Sequence, residues 1–304
     1  MTEIILSPEP RLLGKSGMLV SPLAWGMWRF AGDDVRAARD RVEAAFAAGI
    51  TLFDTADIYG PDNDEPFGAS EVLLGRVFAD APELRDRMVL ASKGGIRMGV
   101  PYDSSPGYIA QAVDASLKRL GTERIDLWQI HRPDLLAHPA ETASALEELV
   151  LQGKIVSIGV SNHTPAQTAA LKSYLNIPIA STQPEFSALA TAPLFDGTMD
   201  RAMKYGLAVL AWSPLGQGRL AGNNAADDRT TMVRAALDTH AAKYNVGRAA
   251  VAYAWIMAHP ARPIPIVGSQ NPARIAEAAD AFKVRFERAE WYAILEASMG
   301  EKLP

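Results

Sequence analysis

The chain has 304 residues, enough for one large domain or two ordinary ones, and its 48% hydrophobic and 21% charged residues are the balance of a soluble protein with a sizeable core. A net charge of −5, with no Lys/Arg cluster long enough to follow a phosphate backbone, argues against nucleic acid as a partner, and no apolar run reaches the ~18 residues of a membrane span. The lack of cysteine excludes disulfides, thiolate metal sites and cysteine nucleophiles, and the stretch from Met1 to Gly14 lacks the apolar core and cleavage signal of a secretory leader, so a cytoplasmic location is expected.

In chain order, Ile4-Ile5-Leu6 and Met18-Leu19-Val20 are strand-like pieces split by Pro8, Pro10, Gly14 and Gly17, and they predict an N-terminal hairpin. Leu23-Ala24-Trp25 predicts a short strand ending at Gly26. Ala38, Val42, Ala45 and Phe46 share a helical face that Gly49 closes. Ile50-Thr51-Leu52-Phe53 is a partly β-branched buried strand that stops at Asp54. Tyr59 follows five residues later on the loop, and Gly60 turns the chain. Ser70-Glu71-Val72-Leu73-Leu74 opens the next helix. A third strand, 88–92, ends at Lys93-Gly94-Gly95, and Ala110, Val113, Leu117 and Leu120 mark a helix closed by Gly121. A fourth strand, 125–130, ends at His131, and a helix through Leu146, Leu149 and Val150 ends at Gly153. A fifth strand, 155–160, ends at Ser161-Asn162, and a helix over about 165–175 follows. A sixth, 179–182, ends at Gln183; a seventh, 207–211, ends at Trp212-Ser213-Pro214; an eighth, 264–267, ends at Gly268-Ser269. The last barrel helix takes Asn271 as N-cap and Pro272 as its first residue, with Ile275, Ala279 and Phe282 inward. Residues 288–299 predict an extra terminal helix.

Eight strands alternating with helices, without a linker-like stretch, predict one (β/α)8 TIM barrel over residues 1–304. Asp54, Lys93, His131, Ser161, Asn162, Gln183, Trp212 and Ser269 all fall just after strands. In this fold every such position lies on the C-terminal rim, where active sites occur.

The residue types on that rim suggest proton chemistry. Lys93 and Asp54 can neutralise each other, and an ammonium placed by Tyr59 would pull the phenol below its reference pKa of ~10. His131 can orient a substrate oxygen, so the set resembles an oxyanion site with a proton donor. That suits reduction of a carbonyl, with hydride supplied by a cofactor. Plainer readings stand beside these. Asp54 could cap a turn, Tyr59 could only pack, Lys93 could be a solvated loop lysine, and His131 a satisfied core histidine. Ser161-Asn162 could only cap the following helix, and Trp212 could be core. No G-x-G-x-x-G opens a helix after an early strand, so a Rossmann domain is not expected; the histidines lack ligand spacing, so no metal is expected.

The chain resembles the aldo-keto reductase family nearly end to end, and most of all a bacterial oxidoreductase branch of it. The resemblance rests on Gly26-Met27-Trp28, Phe53-Asp54-Thr55-Ala56 with Tyr59-Gly60, Ser70-Glu71 with Leu74-Gly75, and Ser92-Lys93. It continues through His131, Pro133 and Asp134, Gly153-Lys154-Ile155 with Ile158-Gly159-Val160-Ser161-Asn162, Gln183, residues 212–216, and Pro272 with Arg274-Ile275 and Glu277. It implies Tyr59 as general acid, Lys93 and Asp54 tuning it, and His131 orienting the carbonyl. It implies Ser161, Asn162 and Gln183 on the nicotinamide carboxamide, and Trp212, often Tyr in the family, stacked on the ring. Gly26, Met27 and Trp28 would border the cofactor. Ser213, Leu215, Gly216 and Gly218 would lie along the pyrophosphate, and Ser269, Gln270, Arg274 and Glu277 at the adenosine end. Gly268 and Ala278 depart from the family's usual phosphate-binding Lys and adenine-binding Asn.

The expected activity is reversible NADPH-dependent reduction of aldehydes and ketones, with weaker use of NADH, by a monomer acting on a small carbonyl substrate. The alternative is a non-catalytic, nicotinamide-binding regulatory or sensor subunit.

Overall fold

The computed structural model describes residues 3–224 and 227–304. Its strands run β1 (Ile4–Ile5), β2 (Arg11–Leu12), β3 (Leu19–Val20), β4 (Ala24–Gly26), β5 (Leu52–Asp54), β6 (Val89–Gly94), β7 (Ile125–Ile130), β8 (Ile155–Ser161), β9 (Ile179–Gln183), β10 (Ala208–Ala211), β11 (Ile264–Val267) and β12 (Arg285–Phe286). Its helices are α1 (Val35–Ala47), α2 (Ala69–Asp80), α3 (Pro106–Leu120), α4 (Pro139–Leu151), α5 (Pro165–Tyr174), α6 (Thr198–Tyr205), α7 (Asp228–Tyr244), α8 (Arg248–Met257), α9 (Pro272–Glu277) and α10 (Arg288–Met299). Strands β4 to β11 pair in parallel and close into an eight-stranded barrel, with β11 returning to β4. The expected TIM barrel is the fold.

The strands are short apolar runs because both faces are covered, the inner by the barrel and the outer by helices. In β7, Ile125 to Ile130, every residue is buried. The helices end where their sequence says they should. Pro106 opens α3 and Gly121, at φ +62°, closes it; Thr164 and Gln167 form a capping box at the start of α5.

The predicted hairpin is β2 with β3. It does not include Ile4 and Ile5, which pair antiparallel with Phe286 and Arg285 in β12. Leu13 and Val20 from the hairpin join Ala24, Leu52, Ala91, Leu127, Leu210 and Ile264 in a buried cluster. Gly14, at φ +54°, lets the hairpin press against the barrel, since a Cβ there would meet the Ala180 carbonyl oxygen at 2.1 Å. The N-terminal end of the barrel is thus plugged, and the C-terminal end is left for chemistry.

Three helices escaped the sequence reading. The buried face of α7 is Thr230, Val233, Leu237 and His240, a helical spacing disguised by a Thr and a His. In α8, every residue from Ala250 to Met257 is buried, so it has no polar face to set a period. α6 buries only Thr198, Met199 and Ala202. The last barrel helix also differs from expectation. α9 gives way to a 3₁₀ helix at Ala278–Lys283, so Ile275, Ala278 and Ala281 are buried and Ala279 and Phe282 are only partly so. With three residues per turn the inward face advances in steps of three. The extra terminal helix is α10, docked by a stacked Trp255–Trp291 pair, centroids 5.0 Å apart, whose indoles each donate to the other's carbonyl.

Candidate active site

Strand alternation builds the site. Inward positions of a barrel strand repeat every two residues. Leu52 therefore leads to Asp54, Ala91 to Lys93 and Leu127 to Gln129, while Ser181 and Gln183 both reach the polar layer from β9. The lower layer is apolar and belongs to the plugged core; the layer above it is polar. Register joins Lys93 to Gln129, Gln129 to Gly159, and Gly159 to Ser181. Gly159 makes room for this layer, because a Cβ there would lie 2.2 Å from Ser181 Oγ and 3.0 Å from Gln129 Cγ.

At its centre Lys93 Nζ donates to Asp54 Oδ2 at 2.7 Å and to the Thr55 carbonyl at 2.8 Å. Both side chains are buried. Asp54 Oδ1 accepts from Gln183 Nε2 at 2.9 Å and from Gln129 Nε2 at 3.3 Å, and Ser181 Oγ donates to Gln129 Oε1 at 3.2 Å. Two charges out of water need this density of partners. Gln129 and Ser181 were missed from sequence; the signal was a polar side chain inside an otherwise apolar strand.

Tyr59 lies over this pair. Lys93 Nζ is 4.9 Å from its ring centroid, and the His131 ring meets it edge-on at 6.0 Å. Asp54, Tyr59, Lys93 and His131 are therefore together at the mouth. Burial works against the Lys93 ammonium, but Asp54 and Tyr59 outweigh it and its pKa is raised. Burial likewise pushes the Tyr59 phenol up, and Lys93, which opposes it, does not cancel the effect. The expectation of a phenol pKa below ~10 is thus corrected for the protein alone: desolvation exceeds the ammonium's pull. His131 is held well below the usual histidine range by burial, then by the charges of Lys93 and Arg132. It is neutral at pH 7. Its Nδ1 is buried with no partner among the described residues.

Beside His131 a second network links Ser161, Asn162, Gln183 and Trp212. Asn162, at φ +58°, donates to the His131 carbonyl at 3.1 Å and to Ser161 Oγ at 2.9 Å. Its Oδ1 accepts from Trp212 Nε1 at 2.9 Å, and Ser161 Oγ donates to the Gln183 carbonyl at 3.1 Å. A tyrosine at 212 would have no indole N–H for that bond.

The remaining candidates line the rim. Ser213, Gly216, Gln217 and Gly218 all have positive φ, and a Cβ on Gly216 would lie 2.8 Å from Leu189 Cδ1, so Gly216 allows a close approach there. Leu215 packs partly against the core. Gln270 Nε2 donates to the Gly26 carbonyl at 3.0 Å, while Gln270 Oε1 is buried with no partner. The Ser269 carbonyl accepts from Trp25 Nε1 at 2.9 Å. Arg274 and Glu277 are exposed, and no ion pair among the described residues joins them. Trp28 is exposed and donates to Asp62 Oδ2 at 3.1 Å. Met27 is fully buried in the core, its N–H donating to the Asp54 carbonyl at 2.9 Å and its carbonyl accepting from Ser70 Oγ at 3.0 Å.

The Ser70-Glu71 motif has a supporting task. Glu71 is fully buried, accepting from Ser92 Oγ at 2.6 Å and Arg119 Nε at 2.8 Å, and so ties α2 to the strand that carries Lys93. Among the described residues no group of three or more His, Asp or Glu side chains could hold a metal ion, and no helix is long and apolar enough to cross a membrane.

The Aldo/keto reductase family model matches residues 22–298. A 6-dehydroglucose reductase of Novosphingobium aromaticivorans is 52% identical, with 100% of each chain covered. A second 6-dehydroglucose reductase, from Agrobacterium fabrum, is 36% identical over 93% of this chain and 96% of its own. The oxidoreductase YdhF of Escherichia coli is 34% identical over 96% and 98%. With a family match over nearly all its length and a relative 52% identical over the whole chain, the chain belongs to the aldo/keto reductase family and is an NAD(P)H-dependent oxidoreductase.

Proposed function

We propose that the chain, as one barrel domain over residues 1–304, reduces aldehydes and ketones to alcohols with NADPH, and that Tyr59 is the general acid. The observation that carries this reading is the buried Lys93–Asp54 pair, 2.7 Å long, beneath the Tyr59 ring. A core that served only stability would gain by replacing such a pair with apolar side chains. Here it lies at the barrel mouth and stabilises a charge that forms only during reaction.

The proton leaves Tyr59 Oη for the carbonyl oxygen, and the Lys93 ammonium stabilises the phenolate that remains. Asp54 keeps Lys93 charged, and Gln183 and Gln129 keep Asp54 in place. Neutral His131 donates from Nε2 to the same carbonyl oxygen. The raised Tyr59 pKa keeps the phenol protonated at neutral pH, as an acid must be.

The residues present fit a nicotinamide dinucleotide. When bound, NADPH supplies the hydride. Trp212 would flank the ring, with Ser161, Asn162 and Gln183 at the carboxamide and Gly26, the Met27 backbone and Trp28 bordering it. Ser213, Leu215, Gly216 and Gly218 would follow the pyrophosphate, and Ser269, Gln270, Arg274 and Glu277 the adenosine. Among the described residues Gln270 Oε1, buried, and Arg274, exposed, have no partner, and they are free to accept and to donate at that end.

The full-length similarity to a 6-dehydroglucose reductase supports a sugar aldehyde as substrate. The test is NADPH oxidation by purified protein with 4-nitrobenzaldehyde and with glucose oxidised to the aldehyde at C6. Turnover of both, faster with NADPH than NADH, is expected. Saturable NADPH binding without turnover of either would refute the enzyme reading and favour a nicotinamide-binding sensor.

A further inference from the structure

Arg132 follows His131 directly, at the top of β7. The backbone around it is pinned. His131 N donates to the Gly94 carbonyl at 2.8 Å, and Asp134 accepts from Ser104 N at 2.8 Å and Leu136 N at 2.9 Å. Asp134, the nearest acid in sequence, is therefore bound to backbone amides rather than to the guanidinium. None of the ion pairs among the described residues includes Arg132. Its guanidinium lies 5.9 Å from the Trp212 ring centroid, at the outer limit of cation–π attraction. The residue is half-buried.

A partly desolvated guanidinium carries five N–H donors in a rigid fork and no acceptor. Among the described residues neither a carboxylate nor a carbonyl accepts from it, so its donors are open to a ligand. Its place is informative as well. After burial, which dominates for both groups, Arg132 is among the charges that act on Tyr59 and His131. Next to His131 in the chain and 5.9 Å from the Trp212 ring, it borders the place of a carbonyl whose own oxygen belongs to Tyr59 and His131. The oxygens left for the fork are those on the adjoining carbons.

Resting on the reductase reading, we propose that Arg132 is a specificity-determining residue. Its guanidinium grips hydroxyl oxygens on carbons next to the carbonyl and so selects polyhydroxylated aldehydes over unsubstituted ones.

The experiment measures kcat and KM with NADPH for propanal, glyceraldehyde and glyoxylate, in wild type, Arg132→Met and Arg132→Lys, with melting temperatures as a control of folding. Arg132→Met is expected to lower kcat/KM for glyceraldehyde by about 10–100-fold, the range for a hydrogen bond to a charged group, chiefly through KM. Propanal should change less than about threefold. Arg132→Lys keeps the charge but loses the fork, so glyceraldehyde should remain impaired; if the Met variant does not fold, this variant carries the test. Equal losses on propanal and glyceraldehyde, with a displaced pH profile, would mean that Arg132 acts through Tyr59 or His131, and would overturn the proposal. A loss confined to glyoxylate and restored by Lys would mark an anion site and also overturn it. A wild type inactive on propanal and glyceraldehyde alike sinks the reductase reading itself.

Discussion

Lys93→Met tests the centre of the site, because it removes one charge of a buried pair and keeps most of the side-chain volume. Breaking such a pair by deleting one partner typically costs about 3–5 kcal/mol, since the other charge stays buried. Two features bear on the value here. Asp54 keeps the amide donors of Gln183 and Gln129, at 2.9 and 3.3 Å, which softens the loss. The bond from Lys93 to the Thr55 carbonyl, 2.8 Å, is lost as well, for about 1 kcal/mol more. A destabilisation of about 3–5 kcal/mol is therefore expected, read as the change in urea unfolding at pH 7. Asp54→Asn should be similarly harmful alone. The double variant leaves no unpaired charge, so it should be more stable than the sum of the single losses by about 2 kcal/mol or more. The sign with pH follows from the raised Lys93 pKa: the pair's contribution is present below the unfolded value of about 10.4 and fades as pH rises through the folded one. Turnover should fall too, because the phenol loses the main influence that opposes its burial. Additive losses within about 0.5 kcal/mol would show that the two residues do not act as a pair. Full activity with an unchanged pH profile would refute the tuning of Tyr59.

Tyr59→Phe should keep the fold and NADPH binding while kcat falls by about 10²–10⁴-fold, the usual contribution of a general acid; a kcat within about threefold of wild type excludes Tyr59 from that role. Arg274→Ala, titrated by tryptophan fluorescence, should lose about 10–100-fold in NADPH affinity with NADH scarcely changed, because an exposed guanidinium without a partner is free for the 2′-phosphate. Equal losses for both cofactors, or a wild-type preference for NADH, would count against it. His131 has a depressed pKa, so the unfolded chain takes up a proton below about pH 6.5 before the folded protein does, and stability falls with acidification from there down to the folded value. His131→Gln should flatten that slope, by up to about 1.4 kcal/mol per pH unit; an identical slope in both proteins would mean that His131 titrates normally.

Much of the architecture was legible because buried parallel strands and their stop points are written locally. Short apolar runs ended by a polar, aromatic or glycine residue located all eight barrel strands, and the fold's geometry then assigned Asp54, Lys93, His131 and Gln183 to one rim. Where burial removes the polar face, as in α8, or where Thr and His stand in it, as in α7, a helix loses its period and was not found. The inward face after α9 also lay beyond a period-3.6 reading, because the chain tightens to 3₁₀ there.

The residue types at the mouth and their order along the chain were properties of the sequence, as was the family they resemble. Only the closed barrel decided who holds whom. Register across neighbouring strands placed Gln129 and Ser181 behind Asp54, and enclosure reversed the expected direction of the Tyr59 pKa. It also left Arg132 without a carboxylate among the described residues. These are sums over groups far apart in sequence, in a medium of low polarity that exists only once the barrel has closed.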